Sequence, residues 1–171
     1  MERLWSPWRL KYVSSTGQPC ACVFCEAQDH AGGDSLVVFR GRTAFVILNL
    51  FPYNSGHLLV VPNRHIATLA AASHEELCEL IELTRVAEQA LTDVYTPQGL
   101  NIGMNLGRSA GAGIADHMHI HVVPRWNGDT NFMSVVGETR VLPEDLAQAA
   151  ERLGPVFARL GDGSAAEASG V

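Results

Sequence analysis

The 171-residue chain contains no stretch approaching the roughly 20 consecutive apolar residues that a membrane-spanning helix needs. Its start, Met-Glu-Arg-Leu-Trp-Ser-Pro-Trp-Arg, lacks the apolar centre of a secretory leader, so a soluble cytoplasmic protein is expected. Basic residues are scarce too. Twelve Lys and Arg against 18 Asp and Glu leave a net charge of -6, which argues against a partner held by broad attraction to phosphate, such as bulk nucleic acid. A small anionic substrate stays open, because imidazoles and backbone N–H groups can bind phosphate locally whatever the global charge. The four cysteines do not form a secreted disulfide framework: Cys20, Cys22 and Cys25 crowd together while Cys78 stands alone in a helical pattern. In a reducing compartment Cys22 and Cys25 read either as half a zinc site awaiting two more ligands or as an incidental pair. No carboxylate cluster is evident that would cage Mg²⁺, so that ion, if used, arrives with a substrate.

What remains is a chain with 47% hydrophobic residues, no internal repeat and no second core, long enough to fold as one domain without staples. Residues 1–21 mix Trp5, Pro7, Trp8 and Tyr12 with basic residues and no clean period, and read as an arm laid across a domain at 22–160. β-type runs at Ser35 to Arg40 and Thr43 to Leu48 predict a hairpin, and His57 to Pro62 a third strand after the turn-rich 49–56 segment. Ser73 with Glu76 three residues on predicts a capped start to a long helix, whose apolar period runs through Leu77, Leu80, Ile81, Thr84, Ala87, Leu91 and Val94 until Pro97 and Gly99. Leu100 to Asn105 predicts a fourth strand and His117 to Val123 a fifth, ended by Pro124. A second helix is expected after Pro143, and from Gly161 a disordered tail rich in Gly, Ala and Ser. The order is that of an α+β fold: an antiparallel sheet of about five strands with a long helix and a C-terminal helix.

The chemistry concentrates in Asp116-His117-Met118-His119-Ile120-His121-Val122-Val123-Pro124. Strands alternate faces, so His117, His119 and His121 form one row while Met118, Ile120 and Val122 form the other. A lone strand histidine is usually a satisfied core or surface residue. Three in register each need a hydrogen-bond partner when buried and depress one another's protonation, which leaves a reactive centre, a metal site or a polyhistidine accident.

Together with Gly56-His57-Leu58-Leu59-Val60-Val61-Pro62 upstream, the His-x-His-x-His-Val-Val run resembles the histidine-triad (HIT) superfamily, over about Cys22 to Trp126. The leading Arg-Leu-Trp-Ser-Pro-Trp-Arg and the trailing Pro124 to Phe132 segment resemble its bacterial diadenosine tetraphosphate phosphorylase-like group. The resemblance implies a HIT-like fold and a nucleotidyl transferase or hydrolase acting through a covalent intermediate on His119. His121 and His57 would stand beside the phosphate as donors. Asn49, eight residues before His57, would face the ribose, Ile47 and Leu59 would cover the adenine, and Asn105 would lie near ribose or phosphate. Asn105 lies one residue further from His117 than its counterpart in the fragile-histidine-triad branch. The glycine-rich stretch before the triad would cradle the phosphate at Ala112, Gly113, Ile114 and Ala115, with Gly113 standing where relatives place a Gln or Ser side chain.

The same resemblance implies a structural zinc held by Cys22, Cys25, His65 and His117, with Cys20 the competing ligand and His30 and His74 solvated bystanders. It further implies a homodimer in which the long helix and a strand pair across a twofold axis. Transfer to inorganic phosphate makes a phosphorylase releasing ADP and ATP, the reading the flanking segments favour. Transfer to water makes a hydrolase, which His121 keeps open because classical phosphorylases and uridylyltransferases of the superfamily carry Gln there. Alternatives are a nucleoside phosphoramidase and, outside enzymes, a nucleotide-binding, zinc-stabilised interaction protein.

Overall fold

The computed structural model describes residues 22–29, 35–129 and 144–167. The arm at 1–21, including Cys20, and also His30 lie outside the described residues. Among the described residues, three α-helices, α1 (Val23–Asp29), α2 (His74–Tyr95) and α3 (Leu146–Glu167), accompany five strands, β1 (Val37–Arg40), β2 (Ala44–Leu48), β3 (Leu58–Pro62), β4 (Gly99–Gly103) and β5 (Ile120–Arg125). The strands form one antiparallel sheet in the order β1-β2-β3-β5-β4.

Both faces of β2 and β3 are buried, which is why these strands read as continuous apolar runs. On one face Ala44, Val46, Leu48, Leu58 and Val60 join Met118, Ile120 and Val122 under Leu80, Leu83, Val86, Ala87 and Leu91 of α2 and Leu153 and Phe157 of α3. On the other, Phe45, Ile47, Leu59 and Val61 meet Phe24 of α1. The helix α2 begins as its sequence requires: Ser73 accepts from the Glu76 N–H while the Glu76 carboxylate accepts from the Ser73 N–H, a reciprocal capping box. Arg64 reaches the same carboxylate at 2.7 Å from both Nε and Nη2, tying the loop after β3 to the helix start.

The helix α1 was not expected from the sequence, β4 spans Gly99–Gly103 where Leu100 to Asn105 was expected, and two further boundaries differ for long-range reasons. The β5 ladder starts at Ile120, and Pro124 does not end it but pairs with Leu100. β3 accompanies β5 only as far as Val122, so at Pro124 the strand has a neighbour on one side and the missing N–H is not demanded. Upstream of the ladder, Met118 still points into the core with Ile120 and Val122, so the three histidines share the opposite face as expected. The second difference is at Gly161, read as the start of a tail: α3 runs through it to Glu167. A Cβ at Gly161 would overlap the Phe39 ring, so this glycine is where the helix crosses β1.

Candidate active site and metal cluster

The face of the sheet that carries Phe24 opens into a cavity of about 840 Å³ whose lining includes Ile47, Asn49, Leu59, Asn105, His119 and His121. α1 supplies Val23, Phe24, Glu26, Ala27 and Asp29 to one wall, and the glycine-rich loop supplies Gly111, Gly113 and Ile114. Of the residues expected at a phosphate cradle, Gly113 and Ile114 therefore reach the cavity, while Ala112 and Ala115 are not among its lining residues. The reason for Ala112 is local: Gly107 and Gly111 adopt left-handed φ angles of 83° and 90° around a short 3-10 turn at Arg108–Ala110, and the Ala112 N–H turns back to the Gly107 carbonyl.

The histidine tautomers follow from their partners. The Nδ1 of His119 lies 3.0 Å from the His117 carbonyl, which can only accept, so His119 carries its proton there and keeps the Nε2 lone pair free. His119 is buried, and desolvation pushes its pKa down against the opposing pull of that carbonyl, favouring the neutral ring. For His57 the logic runs the other way. The Tyr53 N–H donates to its Nδ1 at 3.1 Å, so the His57 proton sits on Nε2 and is donated to His121 Nδ1 at 3.0 Å. His121 then carries its own proton on Nε2. Burial first, then the charges of His121 and His119, lower His57 to about 3. His57, expected beside the phosphate, is fully buried and not among the cavity's lining residues, and it adjoins the cavity through His121, Asn49 and Tyr53. The glycine before it, Gly56, holds a φ of 77° with its Cα against Tyr95 and Leu91, leaving no room for a Cβ.

Asn49 lines the cavity, with its side-chain oxygen accepting from the Phe51 N–H at 3.0 Å and its amide nitrogen 3.3 Å from His57 Nδ1. The Tyr53 ring stacks on His121 with centroids 6.0 Å apart and lies tilted against His57 at 4.8 Å.

Behind the triad, Cys22, Cys25, His65 and His117 bring one ligand atom each to within 4.8 Å of one another. The Nδ1 of His117 lies 3.3 Å from the Cys22 sulfur and 3.7 Å from that of Cys25, and His65 Nδ1 lies 3.4 Å from the Cys25 sulfur. Zinc bonds to sulfur near 2.3 Å and to nitrogen near 2.0–2.1 Å in a tetrahedron separate S and N donors by about 3.6 Å, so this donor set fits that ion. His117 donates from Nε2 to the Pro62 carbonyl at 2.9 Å, which leaves Nδ1 as its ligand atom. His74, read as a bystander, is exposed on α2 beside Cys78.

Residues 32–128, more than half of the sequence, match the HIT domain family. The chain belongs to the HIT domain family. Among relatives of this HIT protein, the AP-4-A phosphorylase of Mycobacterium tuberculosis (strain CDC 1551 / Oshkosh) is 39% identical over 168 residues, covering 93% of this chain and 86% of that one. The asymmetrical bis(5'-nucleosyl)-tetraphosphatase of Schizosaccharomyces pombe is 33% identical over 95 residues, 56% of this chain and 52% of that one. A solved structure of a Zn-bound histidine triad family protein from Mycobacterium smegmatis superposes with a TM-score of 0.66 at 26% identity, over 84% of this chain and 97% of that one.

Among the lining residues of this HIT domain's cavity that the sequence did not point to are Tyr53 and Phe24. Tyr53 lies in a turn-rich segment whose pattern says nothing about which backbone N–H will meet an imidazole. The one local mark of Phe24 is its place between two cysteines of a candidate metal pair, and its ring centroid lies 5.4 Å from His117 and 5.0 Å from His119.

Proposed function

We propose that this HIT protein is a diadenosine tetraphosphate phosphorylase, or acts on a closely related nucleoside polyphosphate, cleaving at the α-phosphate through a nucleotidyl-histidine intermediate. The observation that carries the reading is the unprotonated Nε2 of His119, in a cavity-lining ring whose other nitrogen is tied to the His117 carbonyl. A neutral imidazole fixed in this way is a competent nucleophile near neutral pH. His119 Nε2 forms a bond to the α-phosphorus, and the bond from phosphorus to the bridging oxygen breaks, releasing ATP from diadenosine tetraphosphate. Inorganic phosphate then attacks the same phosphorus, the N–P bond breaks, and ADP leaves with His119 restored. His121, its Nε2–H set by the chain from the Tyr53 N–H through His57, donates to the oxygens on which charge accumulates.

Asn49 and Asn105 face the ribose and phosphate, Ile47 and Leu59 cover the base, and Gly113 and Ile114 present backbone to the phosphate, all from positions lining the cavity. Mg²⁺ enters with the polyphosphate. Cys22, Cys25, His65 and His117 hold a structural zinc that supplies rigidity and no chemical step; a reducing cytoplasmic setting suits the two thiolates. The 39% identity to a protein named AP-4-A phosphorylase, extending over nearly the whole chain, favours phosphate over water as acceptor. Hydrolysis is the second reading, favoured by His121 at a position where classical phosphorylases of the superfamily carry Gln and by the tetraphosphatase relative.

The test is turnover of diadenosine tetraphosphate with and without inorganic phosphate, with products resolved by chromatography. ADP plus ATP formed only with phosphate establishes the phosphorylase, and AMP plus ATP without it the hydrolase. Turnover surviving His119→Ala would falsify the intermediate.

The homodimer is part of the same proposal. β4 is an edge strand with an exposed Ile102, and α2 exposes Ile81, so a strand and the long helix both present apolar surface to a second copy. Light scattering should give twice the chain mass, and Ile102→Asp should halve it; a wild-type monomer at micromolar concentration would end this part of the proposal.

A further inference from the structure

We propose that the metal cluster and the nucleotide cavity are thermodynamically coupled through α1, so that a metal ion and a nucleotide each tighten the binding of the other. The inference rests on the nucleotide and zinc readings above and extends them to a regulatory link between the two sites.

The link is the double duty of one short helix. α1 has seven residues, too few to be stable by itself, so its position depends on what holds it. Its C-terminal end is held by Arg40, which donates to the Gln28 carbonyl at 2.7 Å and the Ala27 carbonyl at 3.2 Å. Its N-terminal end is held at Cys22 and Cys25, whose sulfurs face His117 and His65. Between the two cysteines in sequence stands Phe24, buried, lining the nucleotide cavity and in ring contact with both His117 and His119. Val23, Glu26, Ala27 and Asp29 of the same helix line the same wall.

A second strand of the link runs through the backbone. His117 offers Nδ1 to the cluster while its carbonyl accepts the His119 Nδ1–H, so the residue that fixes the nucleophile's tautomer is itself fixed by the cluster on one side and by the Pro62 carbonyl on the other. With the four donors drawn to one ion, α1 is seated as the cavity wall. Without it, two thiols and two imidazoles have only weak mutual hydrogen bonds, and the apolar contacts of Phe24 with Phe45, Ile47, Leu59 and Val61 are left to hold the N-terminal half of α1 against His119. A ligand bound against that wall restores part of the order the ion supplies. Linkage makes the effect reciprocal and equal in both directions, in a range of about 5- to 150-fold for typical coupled sites.

The experiment measures Zn²⁺ affinity by competition with a chromophoric chelator, with and without saturating AMP, on the full chain under reducing conditions. AMP affinity is measured by calorimetry on zinc-loaded and chelator-stripped protein, and a thermal melt of the stripped protein records whether it remains folded. The expected result is a folded apo-protein that binds AMP at least fivefold more weakly, a Zn²⁺ affinity raised by AMP by the same factor, and loss of that factor in Phe24→Ala. Phe24→Leu, which keeps an apolar side chain on the wall, should retain part of it. Equal AMP affinity with and without zinc, within twofold, would overturn the coupling while leaving both sites standing. Global unfolding on zinc removal would overturn it by making the ion a requirement of folding. Failure of zinc-loaded protein to bind AMP would remove the nucleotide reading, and failure to bind Zn²⁺ the metal reading, and the coupling with either.

Discussion

His57 and His121 are joined by a 3.0 Å hydrogen bond in which the buried His57 donates, because its other nitrogen already accepts from the Tyr53 backbone. Two rings thereby transmit a fixed orientation from a turn to the cavity, and only the second ring touches it. This makes His57 a positioning residue, and its loss should differ in kind from loss of His119.

His57→Ala should lower kcat by roughly 10- to 100-fold, the usual cost of removing the partner that orients a functional histidine, with little change in KM. His57→Gln, whose side-chain amide can still donate toward His121, should recover part of that loss. Steady-state kinetics on both variants checks it, and equal defects in the two would argue against a role through the donated hydrogen.

The same histidine predicts an acid-labile fold. In the folded protein, burial and the neighbouring imidazoles hold His57 down at about 3, whereas the unfolded chain takes up the proton near the ordinary value of about 6.5. Between those two values the unfolded state binds more protons, so stability falls as pH drops from about 6.5 toward 3. His119, also pushed down by burial, acts in the same direction. Thermal melts from pH 7 to pH 4 should show a falling Tm, and His57→Gln should flatten that fall.

Glu76 is buried at the start of α2, where it completes the capping box and receives Arg64, and these bonds hold its carboxyl well below the usual carboxylate range. Glu76→Ala should destabilise the fold by about 1–2 kcal/mol, the scale of losing a helix cap. Glu76→Gln keeps an acceptor for the Ser73 N–H and should lose less. Urea unfolding with an unchanged m-value is the appropriate measurement.

Elemental analysis of protein purified without chelator should find about one zinc per chain, the capacity of a single four-ligand site. Cys25→Ser and His117→Ala should each strip it. His65 is the exposed member of the set, so His65→Ala should leave measurable but weaker binding. Full zinc occupancy in Cys25→Ser would show that the ion sits elsewhere.

Much of this architecture was legible in the chain because it rests on local rules. The alternation His117, Met118, His119, Ile120, His121, Val122 put three imidazoles on one face and three apolar side chains on the other, and the core contains those three. Ser73 and Glu76 announced the start of α2, and the apolar runs announced β2 and β3. What failed were inferences that depend on neighbours far away in sequence. Pro124 reads as a strand end until β3 is seen to stop alongside Val122. Gly161 reads as the start of a tail until Phe39 is found in the space of its absent Cβ.

The division is physical. Side-chain periodicity, capping and turn chemistry act over a few residues, so the sequence by itself determined the five strands, the two long helices and the face that carries the histidines, while the family resemblance supplied the four candidate metal ligands. Protonation, burial and distance depend on what packs against what. Only the tertiary structure decided that His57 is sealed behind His121, that Ala112 turns away from the cavity, and that Phe24 stands in ring contact with both His117 of the Cys/His cluster and His119.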